Sequence, residues 1–99
     1  MIDSALFLIS AFDHENSEKL RNETRPVHLD YISKNNHKVA LAGPYVDENG
    51  ISVGSLYVIH ASDEGEAEEF INSDPYSVVG LFRDVQIRRW RLVIDNIHG

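Results

Sequence analysis

The spacing of apolar positions changes several times along the chain, and each change marks an element. Ala5-Leu6-Phe7-Leu8-Ile9-Ser10-Ala11-Phe12 is apolar at nearly every position. It lacks the polar-out alternation of a sheet with one wet face, and so predicts a strand covered on both sides. Residues 13–22 are polar and charged, with Leu20 the only large apolar anchor, which reads as a loop or a weak, exposed helix. From Thr24 the period becomes helical. Thr24 suits a cap, Pro26 a first turn, Leu29 and Ile32 a buried stripe, and Asn35-Asn36 a left-handed stop. The three-and-four rule then places Arg25, His28, Leu29 and Ile32 on one face of this helix.

A second strand is expected over Val39 to Val46, interrupted at Gly43-Pro44. Proline cannot donate to a ladder, so this dipeptide marks a strand end, a bulge or a sheet edge. Asp47-Glu48-Asn49-Gly50 is a turn cluster with Asn-Gly at its tip, and the run from Ser52 to Ala61 should return antiparallel as a hairpin. A symmetrical hairpin puts Gly54-Ser55 beside Gly43-Pro44 and leaves a hollow against the sheet. Asp63 with Glu66 three residues on has the form of a capping box, followed by the inward stripe Ala67, Phe70 and Ile71. The glutamates on the other side of that helix read as solvated surface.

At Asn72-Ser73-Asp74-Pro75-Tyr76 proline biases Asp74 out of the helical region, so the second helix stops and a short turn restarts at Pro75. The Asp74 carboxylate is held at a corner, either as the cap of that turn or as the partner of a group from elsewhere; the spacing leaves both open. The last strand is expected over Asp84 to Ile94, with Val85 and Ile87 on one side and Gln86 and Arg88 on the other. Residues 95–99 read as a frayed tail.

The order strand, helix, strand, strand, helix, strand is that of an α+β ferredoxin-like βαββαβ fold with an antiparallel sheet and both helices on one face. Two helices cover one face only, yet the first strand is apolar on both. A homodimer packed sheet on sheet supplies the missing cover.

Ninety-nine residues suffice for one domain, taken as 1–99, and a formal charge of −7 disfavours nucleic acid and anionic membrane as partners. With no cysteine, disulfides, thiolate catalysis and cysteine zinc sites are excluded. Met1-Ile2-Asp3 carries no basic leader region and no apolar run reaches membrane-spanning length, which predicts a cytoplasmic protein. The five histidines show no metal-ligand spacing, and there is no phosphate-binding or nucleophile-elbow motif, so neither a metal nor an organic cofactor is expected. His28, on the inward face of a helix, is either a satisfied core residue or a site residue.

Arg25-Pro26-Val27-His28-Leu29, Ala42-Gly43-Pro44, Gly54-Ser55, and Asp74-Pro75-Tyr76 followed by Gly80-Leu81 together resemble the YCII-related (YciI-like) proteins, small domains of the dimeric α+β barrel class. The resemblance implies that His28 and Asp74 meet in a pocket as a dyad. A carboxylate on one imidazole nitrogen fixes the tautomer and raises the basicity of the other, giving a general acid or base near neutral pH. Relatives resembling muconolactone-isomerase and chloromuconolactone-dehalogenating enzymes imply proton abstraction beside a carbonyl, with isomerisation or loss of HCl. Arg25 could then hold a substrate carboxylate, or equally pair with a nearby acid. Ser55 and Tyr76 could line the pocket with hydroxyls, although neither position requires such a role. The chain therefore reads either as a cofactor-independent isomerase or lyase, or as a non-catalytic dimer that binds a small ligand or regulates through one. Placement of His28 and Asp74 at element ends suggests that both side chains are open to a ligand.

Overall fold

The computed structural model describes residues 5–97. Its order is β1 (Ala5–Asp13), α1 (Glu18–Lys34), β2 (Val39–Val46), β3 (Ser52–Ala61), α2 (Glu64–Asn72), α3 (Pro75–Val78) and β4 (Phe82–Trp90). The strands form one antiparallel sheet in the order β2-β3-β1-β4, the ferredoxin-like arrangement. β1 is central, as its apolar composition demands. Phe7, Ile9 and Ala11 alternate into the helix-covered face, opposite Ile59, Tyr57 and Ser55 of β3. With Ala61, Ala67, Phe70 and Ile71 most of these side chains make the core. The opposite face of β1 presents Leu6, Leu8, Ser10 and Phe12, each only half-buried.

Local chemistry sets the connections. The β2–β3 hairpin closes between Asp47 and Ile51, with Asp47 Oδ1 accepting the N–H groups of Asn49 (2.8 Å) and Ile51 (3.0 Å). Gly50 takes φ 79°, which a side chain would disfavour. Pro44 is tolerated because β2 is a sheet edge, and it pairs with Ser55 as the hairpin spacing predicts. Asp63 caps α2 by accepting Glu66 N–H at 2.8 Å, and Asp74 caps α3 by accepting Tyr76 N–H at 2.8 Å.

Two boundaries depart from the sequence expectations. α1 begins at Glu18, not Thr24, so Pro26 lies inside it. Pro26 is exposed, and water can satisfy the carbonyl that its missing N–H leaves free. The second half of the stretch read as a loop or a weak, exposed helix, residues 18–22, is the first part of α1, and it buries Arg21. β4 ends at Trp90 instead of reaching Ile94. Its only partner is β1, where Trp90 already faces Leu6, so the apolar residues beyond find no ladder. Leu92, Val93, Ile94 and Ile97 are exposed, and the last two residues of the expected tail lie outside the described residues.

Gly54 is a point of close approach. A Cβ there would stand 2.5 Å from the Ala11 carbonyl oxygen and 3.1 Å from the Tyr45 ring, which crosses the sheet to stack on Phe12 at 5.1 Å and to hydrogen-bond Ser10 at 2.8 Å. Gly43, on the neighbouring strand, has nothing within 4 Å of the same position. Gly54→Ala should therefore cost about 1–3 kcal/mol, as overpacking does, whereas Gly43→Ala should be close to neutral. Urea denaturation of the two variants beside the parent checks the contrast.

Candidate active site

Beneath α1, a cavity of about 330 Å³ separates the helix from β2 and β3. Its walls include Arg21, Arg25, His28 and Ile32 from the helix, Ala42 to Pro44 from the edge strand, Ser55 and Tyr57 from β3, and Tyr76. The hollow expected beside the two small-residue pairs is this space.

The polar centre is built around Asp74, which has no solvent exposure. Oδ1 accepts from Tyr76 N at 2.8 Å and Oδ2 from the Tyr57 hydroxyl at 2.9 Å. His28 Nδ1 lies 3.0 Å from both oxygens. A buried carboxylate already receiving these donors is an ionised acceptor, so Nδ1 carries the imidazole proton and donates it. In the neutral ring with that tautomer, Nε2 is the nitrogen with the lone pair. The ring is further fixed by stacking on Tyr76, with centroids 4.0 Å apart and planes at 14°, and by an edge contact with Tyr57. Asp74 thus serves as cap and as partner at once. It does not reach the cavity: it stands behind His28 and Tyr57, unlike the ligand-accessible position suggested by its place at an element end.

A second buried pair supports the first. Arg21 Nε and Nη2 donate to the two Asp13 oxygens at 2.7 and 3.0 Å, and Nη2 also donates to Ser55 Oγ at 2.8 Å. The guanidinium lies 4.6 Å from the Tyr76 ring centroid. Burial works against the Arg21 charge, but the bond and charge of Asp13 outweigh it and leave the pKa raised. Burial, with the Asp74 charge and hydrogen bond, drives the Tyr57 phenol far above its ordinary range, so it stays a donor. Burial also raises Tyr76, against the opposing Arg21 charge.

Of the residues singled out from sequence, His28, Arg25, Ser55 and Tyr76 all border the cavity. Arg25 is exposed and has no ion pair among the described residues, so the acid-paired alternative is not realised. Tyr76 contributes its ring face and backbone N–H; Ser55 receives the Arg21 donor. Arg21, Asp13 and Tyr57 were missed. Arg21 precedes Arg25 by four residues and His28 by seven, one helical face, a signal that a helix beginning at Thr24 does not contain. Among the described residues no three His, Asp or Glu side chains converge as metal ligands, and no helix is long and apolar enough to cross a membrane.

The chain belongs to the YCII-related domain family, whose model matches residues 5–91. No curated protein matches the sequence. Among solved structures it is similar to the 5-chloro-2-hydroxyhydroquinone dehydrochlorinase TftG of Burkholderia phenoliruptrix AC1100 in complex with 2,5-dihydroxybenzoquinone. That match has 27% identity and a TM-score of 0.80, covering 87% of this chain and 93% of the other. A putative antibiotic biosynthesis monooxygenase of Bacteroides thetaiotaomicron shares the fold, with 8% identity and TM-score 0.58 over 96% and 94% of the two chains. So does a conserved protein of Methanosarcina mazei, with 17% identity and TM-score 0.53 over 88% and 92%. These likenesses fix the fold as that of the dimeric α+β barrels.

Tyr31 gives a pH test of how α1 is held. Its hydroxyl donates to the Phe70 carbonyl at 2.6 Å, and burial, aided by the charges of Asp74 and Glu69, pushes its pKa up to about 12 from 10.0. Above pH 10 the unfolded chain releases this proton while the folded chain keeps it, so stability falls as pH rises towards about 12. Tyr31→Phe should lose about 1 kcal/mol at neutral pH yet decline less steeply over that window, as urea denaturation at a series of pH values will show.

Proposed function

We propose that the chain is a cofactor-independent enzyme in which His28, set by Asp74, transfers a proton to or from a small carbonyl-bearing or lactone-like ring, with isomerisation or loss of hydrogen halide as the outcome. The observation that carries this reading is the Nδ1 bond of His28 to a fully buried carboxylate, which leaves Nε2 as the free base beside a cavity. Similarity to a dehydrochlorinase holding 2,5-dihydroxybenzoquinone supports both the reaction class and the ligand size.

In the proposed reaction Nε2 removes a proton from the carbon next to the carbonyl, or from an enolic hydroxyl of the ring, and the released electron pair forms an enolate. The enolate then either breaks the carbon–halogen bond beta to the carbonyl, releasing halide and leaving a double bond, or recovers the proton at another carbon. Asp74 offsets the positive charge that His28 gains, and Tyr57 and Tyr76 N–H hold that carboxylate in place. Arg25 and Ser55 are the proposed contacts to substrate oxygens, and Tyr76, stacked on His28, the wall that orients the imidazole beside them.

His28→Ala should fold and lose roughly two to four orders of magnitude in turnover of chlorinated hydroxyhydroquinones or lactones. Asp74→Asn should lose activity comparably but also about 1–3 kcal/mol of stability, because an amide N–H₂ would face a donor in a buried site. Steady-state assays with thermal denaturation of each variant test this. Ligand binding with no turnover by the parent protein would instead favour a non-catalytic binding module. The half-buried Leu6, Leu8, Phe12 and Leu56 on the uncovered sheet face support a homodimer as the working unit, and light scattering at micromolar concentration should return twice the mass of the chain.

A further inference from the structure

The cavity differs in charge from the rest of the molecule. The chain carries −7 overall, yet Arg21, Arg25 and His28 line this space and no carboxylate does. The two arginines are not equivalent. Arg25 is exposed, whereas the Arg21 side chain keeps only 6% of its surface accessible. Asp13 and Ser55 take the Nε and Nη2 donors of Arg21, and Nη1 has no protein partner among the described residues. A nitrogen sealed off entirely would count among buried polar atoms without a partner, and there are none. Nη1 therefore keeps contact with open space, and the space that Arg21 borders is the cavity.

Taking the cavity as the site proposed above, we infer that Arg21 Nη1 is a ligand-binding group, and that the ligand is a small molecule bearing an anionic oxygen, a phenolate or enolate, held on Arg21. Arg21 and His28 are seven residues apart, two turns or about 10 Å along α1. Their side chains nevertheless converge on the same Tyr76 ring, at 4.6 and 4.0 Å from its centroid, so both head groups border one small cavity. Nη1 offers an oxyanion a charge-assisted donor. Asp13 holds the guanidinium in place at one end, so little side-chain freedom is lost on binding. The inference also accounts for burying a charged pair where apolar side chains would serve stability as well.

The test uses 2,5-dihydroxybenzoquinone, an anion at neutral pH, and its neutral dimethyl ether, titrated calorimetrically into the full chain. Because Arg21 removed alone leaves Asp13 buried and unpaired, the variant is Arg21→Met with Asp13→Asn, checked for folding by circular dichroism. The parent should bind the anion at least tenfold more tightly than the ether. The double variant should lose roughly ten- to hundredfold in affinity for the anion and little for the ether. Equal affinity of the parent for the two ligands, or no binding of the anion, overturns the inference even where the double variant fails to fold. A folded double variant that binds the anion as the parent does, or Arg25→Gln abolishing the whole preference, also overturns it. Preference for the anion lost in the double variant, with no turnover by the parent, upholds this assignment and sinks the catalytic reading. Turnover dependent on His28 with no effect of Arg21 on affinity does the reverse.

Discussion

A carboxylate with no access to water is stable only if every lone pair that matters is met, and Asp74 is where this fold meets that demand. Its donors come from three elements: His28 on α1, Tyr57 on β3 and the Tyr76 backbone at the start of α3. The Asp74-Pro75 corner supplies the rigidity, since proline keeps Asp74 extended at φ −64°, ψ 132°. One side chain thereby joins the helix, the sheet and the α2–α3 corner. The bonds that orient the His28 ring are also bonds that dock α1.

This explains an otherwise odd helix. α1 runs for 17 residues but buries only Arg21 and Thr24, while Leu29 on its cavity side is 44% exposed. A helix held by its apolar stripe would close on the sheet and eliminate the cavity. Here it is held at a distance by polar anchors: Arg21 on Asp13 near the start, His28 on Asp74 in the middle, and Tyr31 on the Phe70 carbonyl towards the end. Directional bonds of fixed length can prop an element away from its neighbour, which non-directional apolar attraction cannot do.

The parts legible in the sequence were those set by local chemistry. The Asp63 cap, the Gly50 turn, the Pro44 edge and the Asp74 corner each follow from one residue's conformational or hydrogen-bonding preference, and each stands where its pattern placed it. What was illegible depends on partners far along the chain. Pro26 read as a helix start because local rules favour it there, yet the buried Arg21–Asp13 pair draws the helix back to Glu18. Residues 91–94 read as a continuation of the alternating strand, yet among the described residues they pair with no neighbour. The His28–Asp74 pairing spans 46 positions, and spacing alone left both residues with local explanations; the family resemblance brought them together.

The arrangement of charge follows from the same logic. Sixteen acidic residues against nine basic ones would repel an anionic ligand if spread evenly, but a small cavity under low-dielectric walls feels its own lining more than the distant surface. The acids nearest the site are placed behind it: Asp74 sits beyond His28 and Tyr57, and Asp13 beyond Arg21. Each is paired with the residue in front of it, and it is that residue which borders the cavity. Two buried carboxylates, each covered by a basic side chain, thus leave a cavity lined by Arg21, Arg25 and His28 and by no carboxylate.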